Sequence, residues 1–217
     1  MQTLTRELIA LGWADRVLTD AQMSRVLAGS PQRRYHLVNR AMSAGELLRL
    51  RRGRYVLGKE FRDHPAHPFA LAQAFDAGSY VSLESALAYH RWIPEAVQVV
   101  ASITLGRKSS HYEHSTFGSF SFHPLALAPG YFLALVERLK LDGQTALMAH
   151  PARALMDLVC LRKQMWQGLA WLVDSLRIDE EQLRGITGAD IRTLRLVYRH
   201  QRVQSFLSGL ARELGND

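Results

Sequence analysis

Ten side chains in two short stretches carry the strongest chemical signal in this sequence. Gln32, Arg33, Arg34, His36, Asn39 and Arg40 fall in the first stretch, and Arg49, Arg51, Arg52 and Arg54 in the second. Every one can donate hydrogen bonds, and between Ala21 and Lys59 the only acid is Glu46. Arginine grips guanine and asparagine or glutamine grips adenine through paired hydrogen bonds, while unpaired cations suit phosphates. Donors in such density, without carboxylates to neutralise them, point to a nucleic-acid partner. Residues 1–62 hold twelve Lys/Arg against five Asp/Glu, whereas residues 63–217 hold fifteen of each, so the whole net charge of +7 lies in the first part. A uniformly basic protein would not divide this way.

Other candidates are weaker. His64 and His67 lie in Asp63-His64-Pro65-Ala66-His67-Pro68 without a nearby cysteine, so they read as surface histidines and not as metal ligands. His111, Glu113 and His114 sit together on a presumed hairpin, where 111 and 113 could share a strand face, but no third ligand group joins that pair and the hairpin reads as solvated. Ser82 and Ser85 sit at a helix start, where capping accounts for them. Arg153 and Asp157, four residues apart, read as an ordinary helix ion pair worth about 0.3 kcal/mol. The single cysteine, Cys160, has Leu158, Val159 and Leu161 around it and reads as a buried thiol in a reducing compartment. No nucleophile elbow, phosphate-binding loop, zinc-protease or dinucleotide motif occurs. These readings imply no catalyst and no cofactor or metal. No run of 18 apolar residues occurs, and Met1–Leu11 has no signal-peptide-like apolar run, which predicts a cytoplasmic protein without a membrane partner.

The elements that must hold the ten donors follow from local pattern. Leu4, Leu8 and Leu11 at helical spacing predict a first helix over 3–13. Thr19 with Gln22 forms a capping-box pattern and opens a second helix that ends at Gly29. Ser30-Pro31 starts a third, which runs to about Ser43 before Gly45. In this third helix Leu37, Val38, Ala41 and Met42 make one side. Gln32, Arg33, His36, Asn39, Arg40 and Ser43 make the other. Arg34 points toward the apolar sector and is expected to reach a phosphate from the N-terminal edge. Leu48 and Leu50 alternating with Arg49 and Arg51 predict a strand, Arg52-Gly53 a turn, and Arg54–Leu57 the returning strand.

Three helices and a basic two-stranded ribbon, in that order, describe a winged helix-turn-helix over 1–62. The third helix would read base edges, and the ribbon arginines would lie on phosphates or in the minor groove. A solvated helix face and a charged edge strand are the non-functional alternatives. The solvated face usually mixes glutamate with lysine, and this one does not.

Residues 63–68 read as a proline-bearing linker and 69–217 as a mixed α+β domain ending in helices. Its expected pieces are a short helix at Phe69–Phe75, an extended Ser79–Val81, a helix from Ser82, and strands at Val97–Leu105, Tyr131–Glu137 and Ala146–Ala149. A hairpin over Ser109–His123, a long helix from Pro151 to about Lys163, and helices to Leu214 complete it.

Three segments carry a family resemblance: Leu50–Leu57, Tyr80–His90 with Trp92-Ile93-Pro94, and Ala149–Leu158. In order and spacing they resemble the AbiEi family of type IV toxin–antitoxin antitoxins, although Arg91 stands where that family often has glycine. The resemblance implies a bacterial protein with two tasks. Its winged helix would repress its own operon at promoter repeats in double-stranded DNA. Its C-terminal domain would help neutralise a nucleotidyltransferase toxin without forming a stable complex with it. Two rivals are a winged-helix regulator whose second domain senses a ligand, without a toxin partner, and a nuclease-like enzyme targeted by the winged helix. A sensor requires an apolar pocket with a few convergent polar groups. The nuclease would need clustered carboxylates, and the acids of 63–217 are scattered.

Overall fold

The computed structural model describes residues 1–216 and is α+β, with ten α-helices and two sheets among those residues. It divides into two compact units, Met1–Ala77 with Lys140–Thr145, and Gly78–Leu139 with Ala146–Asp217. The segment 63–77 therefore groups with the chain that precedes it.

In the first unit, α1 (Thr3–Ala10) buries Leu4 and Leu8. A two-residue strand, β1 (Leu18–Thr19), follows and leads directly into α2 (Asp20–Val26). Thr19 Oγ accepts from the Gln22 amide at 3.0 Å, and the Gln22 side chain accepts from the Thr19 amide at 2.9 Å, which closes the expected capping box. Helix α3 (Pro31–Ser43) begins on Ser30, whose hydroxyl accepts from the Arg33 amide at 3.2 Å, with proline in the first turn where no amide bond is lost. Leu37, Val38 and Ala41 are its buried face.

The hairpin forms as β2 (Leu47–Arg51) and β3 (Arg54–Leu57), turning through Gly53 at φ +73°. The sequence predicts a two-stranded ribbon, but the sheet has three strands in the order β1-β3-β2, with Leu18 opposite Tyr55 and Thr19 opposite Arg54. A 3₁₀ turn at Lys59–Phe61 and α4 (Pro68–Phe75) complete the unit, and α4 packs on β2. One apolar core joins the three helices to the sheet through Leu4, Leu8, Met23, Leu37, Tyr55 and Leu57.

The second unit is built on a mixed sheet ordered β6-β7-β5-β4-β9-β8, from strands β4 (Ser79–Val81), β5 (Val99–Thr104), β6 (Ser110–His114), β7 (Gly118–Pro124), β8 (Val136–Leu141) and β9 (Gln144–Ala149), of which the end of β8 and the start of β9, within Lys140–Thr145, group with the first unit. Pairings β6–β7 and β4–β5 are antiparallel, while β5–β7 and β4–β9 are parallel. Helix α5 (Leu83–Tyr89) packs on β5 and on α6 (Pro151–Leu161). The chain ends in α7 (Leu169–Leu176), α8 (Glu180–Arg184), α9 (Gly188–Val197) and α10 (Gln201–Leu214), with α9 and α10 packed on α6. None of the helices among the described residues is long and apolar enough to cross a membrane.

The structure departs from the sequence pattern at three places. Residues 132–135 form turns and β8 starts only at Val136, because the Tyr131 and Ala134 carbonyls accept from the Arg153 guanidinium and not from a strand neighbour. Ser82 and Ser85 do not cap α5. Ser82 Oγ donates to Asp157 at 2.7 Å, and Ser85 Oγ donates to the Val99 carbonyl and accepts from the Ala101 amide. Cys160 is only half-buried; burial and the nearby Asp157 charge still push its thiol pKa up, the opposite of a reactive cysteine.

Candidate nucleic-acid interface

Helix α3 is held by its buried stripe of Leu37, Val38 and Ala41, and this fixes what it turns outward. Gln32, Arg33, His36, Arg40 and Ser43 are exposed, and Asn39 and Arg34 are half-buried. Tyr35 joins them at 65% exposure, its ring edge-on to His36. No acid lies on this helix. The six donors expected on the polar side therefore share one helix, but they are not equivalent. Arg33 donates to the Ala28 carbonyl at 2.8 Å and Arg34 to the Gly29 carbonyl at 2.6 Å. Both guanidiniums satisfy backbone oxygens just beyond the end of α2, where a helix leaves carbonyls without partners. They hold the α2–α3 turn closed, and Arg33 lies so close to Gly29 that a methyl group there would meet its Cδ at 2.9 Å. Arg40, by contrast, makes no ion pair or side-chain hydrogen bond among the described residues.

The hairpin arginines are likewise not equivalent. Arg51 donates to the Phe75 carbonyl at the end of α4, so one hairpin arginine ties the ribbon to its own unit. Arg49 and Arg52 are exposed and Arg54 is half-buried. The pairing shifts register between Arg49 and Arg51, which brings Arg51 opposite Arg54 beside the turn. Asp20, first residue of α2, receives little space from that turn: its amide donates to the Gly53 carbonyl, and a side chain at Gly53 would strike its carboxylate at 2.9 Å. Burial, Asp20 and its hydrogen bond push the Tyr55 hydroxyl pKa up. The strand β1 that completes this sheet escaped sequence reading; its only trace is the apolar Val17-Leu18 before the Thr19 cap.

Charge counted by unit is less lopsided than by the first 62 residues. The first unit carries thirteen Lys/Arg against eight Asp/Glu, and the second fourteen against twelve. The acids gained by the first unit are Asp63, Asp76 and Asp142, none of them on α3 or the hairpin. Glu46 is buried and accepts from the Gln2 amide, with the N-terminal amine 3.4 Å away, so it too is spent internally.

The remaining candidates resolve into structure. His64 Nδ1 lies 2.7 Å from Asp15, whose other oxygen accepts from the Asp63 and His64 amides. Burial pushes the Asp15 pKa up, but the His64 hydrogen bonds and charge outweigh it and hold the carboxyl below its usual range. The same hydrogen bond, helped by the acids around it, raises His64. His67 caps α4 by accepting from the Phe69 amide. His111 and Glu113 meet at 3.4 Å on the surface, both exposed. Among the described residues no three His, Cys, Asp or Glu side chains cluster as metal ligands.

The Arg153–Asp157 pair is not the surface ion pair its spacing suggests. Both side chains have no solvent exposure. Asp157 Oδ1 accepts from Arg153 Nε at 3.0 Å and from the Tyr198 hydroxyl at 2.5 Å, and Oδ2 from Tyr80 at 2.9 Å and Ser82 at 2.7 Å. Arg153 also donates to Tyr80 and to the Ala134 carbonyl. Burial opposes the guanidinium charge, but Asp157 beside it holds the Arg153 pKa above its ordinary value, and burial drives both tyrosines up. Every strong donor and acceptor of this node has a partner, so it locks α6, β4 and the 131–134 turns together and offers nothing to a ligand. The signal that exposes it in sequence is that Pro151–Val159 has no polar side except these two charges; all nine residues are buried.

No known protein-family model matches the chain, and a search of functionally characterised proteins also gives no match.

Proposed function

We propose that the protein is a DNA-binding antitoxin of type IV character, whose first unit is a winged helix-turn-helix. The observation that carries the DNA-binding reading is the acid-free, donor-rich outer face of α3 in the same compact unit as the arginine hairpin. Helices α2 and α3 are the helix-turn-helix, β2 and β3 the wing, and β1 the short strand that braces it. Arg40, Gln32, His36 and Asn39 read base edges; Arg52, Arg54 and Arg49 contact phosphate or the minor groove. Arg33, Arg34 and Arg51 serve mainly to hold helix and wing in position, with any DNA contact secondary.

The antitoxin reading rests on the resemblance to the AbiEi family. It gains support from Arg91, which sits at φ +62°, a conformation that favours glycine, at the position where that family often has glycine. In this reading the protein acts in the bacterial cytoplasm, represses its own operon at promoter repeats and counteracts a nucleotidyltransferase toxin without a lasting complex. The test has two arms. The full chain should bind duplex from its own upstream region more tightly than shuffled duplex of the same composition, read by fluorescence anisotropy. Co-expression should also restore growth to cells producing a nucleotidyltransferase encoded next to it. Equal binding to both duplexes at every salt concentration overturns the operator reading, and growth arrest that persists at full expression overturns the antitoxin reading.

A further inference from the structure

The second unit contains a cavity of about 530 Å³, within the range that small-molecule sites occupy. One wall is the sheet, with Val99 and Ala101 from β5 and Ser121 and His123 from β7. The other is helical, with Leu83 and Leu87 from α5, Leu158 and Leu161 from α6, and Leu176 from α7. Ile93 and Val97 also line it. The walls are thus mostly aliphatic; Glu95, Gln98 and Ser175 line the site from exposed positions, and Glu84, Arg162, Ser121 and His123 complete its polar set.

Those polar groups settle what kind of molecule fits. Glu84 is paired with Arg162, and Glu95 with Arg177, so the charges at the cavity margin are already compensated. His123 is half-buried; burial holds its pKa below the ordinary histidine value against the opposing Glu84 charge, so the imidazole is neutral at physiological pH. Its Nε2 lies 3.2 Å from Ser121 Oγ on the same strand face, which gives the cavity one polar end where a donor and an acceptor sit together. A charged ligand would lose its hydration without finding a counter-charge. An uncharged one with a single polar group would bury its apolar body against the leucines and satisfy that group at His123 and Ser121. Leu83, on the helical wall, has φ +55°, an unfavourable backbone conformation of the kind that gathers at ligand sites.

We propose that this cavity is a binding site for a neutral, mostly apolar small molecule carrying one hydrogen-bonding head group, such as a hydroxyl or carbonyl. The site is independent of the DNA-binding reading and stands or falls apart from it.

The test titrates the full chain with 2-naphthol and with naphthalene, following fluorescence. One molecule of 2-naphthol should bind per chain, saturably, and about tenfold more tightly than naphthalene because of its head group. Val99→Trp fills the cavity from the sheet side and Ser175→Trp from its exposed rim, where a large residue does not disturb the core. Each should weaken both probes by about tenfold or more, as the smaller apolar area left for the probe requires. Ser121→Ala combined with His123→Leu should abolish the preference for 2-naphthol while naphthalene still binds. Non-saturable binding by the unaltered protein overturns the proposal. So does binding that survives Ser175→Trp in protein whose circular dichroism and melting are unchanged. A 2-naphthol preference that persists in the double variant overturns the assignment of the polar end.

Discussion

Arg40 and Arg153 are both helical arginines, and they are put to opposite uses. Arg40 lies on the exposed side of α3, on a helix with no acid, and has no ion-pair partner among the described residues. Arg153 lies on a helix side with no exposure at all, one turn before Asp157, where every donor it directs inward finds an oxygen. The contrast shows that an arginine's role follows from whether the fold supplies its counter-charge. Where the fold does, the residue is part of the architecture; where it withholds one across a whole helix face, that face is suited to an external polyanion. Arg33, Arg34 and Arg51 stand between the two extremes, exposed or half-exposed yet bonded to carbonyls of their own unit.

The largest expected effect tests the buried side of this contrast. Asp157→Ala leaves Arg153 charged, buried and without its counter-ion, and should cost about 3–5 kcal/mol in chemical denaturation. A loss below about 1 kcal/mol would mean that the node is wetter or looser than its geometry implies. On the exposed side, Arg40→Ala should leave the melting temperature unchanged and reduce discrimination between operator and shuffled duplex by about 1–3 kcal/mol. If it instead destabilises the fold, Arg40 belongs with Arg153.

Arg51→Ala probes the intermediate class. Losing the bond to the Phe75 carbonyl should lower stability by about 0.5–1.5 kcal/mol, so its effect on DNA binding should be accompanied by an earlier melt. Arg52→Ala should show no such melt.

The smallest effect concerns Asp15 and His64. His64 is raised in the folded chain, so its contribution is complete below the ordinary histidine value of about 6.5 and is lost as pH climbs through the raised value. Asp15 is lowered, so its contribution is present above the ordinary carboxyl range and fades as pH falls through its own folded value. The pair therefore stabilises most in mildly acidic solution, between those limits. Asp15→Asn should return the His64 titration, followed by NMR, toward its ordinary value and flatten this pH dependence. An unmoved His64 titration would assign the shift to other acids.

Much of this contrast was legible in residue order because its determinants are local. The Thr19–Gln22 capping box, the Ser30-Pro31 start and the Gly53 turn each act within a few residues, and the helices and hairpin appear where those signals place them. The α+β class of the longer part was legible for the same reason. What was hidden depends on distant partners. Strand β1 is two residues long and exists because Leu18 finds Tyr55. Residues 131–135 have strand-like composition, yet the Tyr131 and Ala134 carbonyls are taken by Arg153. Arg153 and Asp157 have the spacing of a surface pair, and only Tyr80, Ser82 and Tyr198, brought from β4, the start of α5 and the end of α9, reveal them as a core. Likewise, the donors of α3 were visible as a group, but the sorting of Arg33 and Arg34 away from Arg40 required the carbonyls after α2.

The salt dependence of duplex binding tests the central claim most directly, with the full chain compared with Arg40→Ala and with Arg52→Ala combined with Arg54→Ala. Log K should fall linearly with log salt. The double hairpin variant should bind all duplexes more weakly, with a slope shallower by about one for each phosphate no longer neutralised. Arg40→Ala should chiefly lose sequence preference. Affinity that ignores salt, or a slope and preference unchanged in both variants, would contradict it.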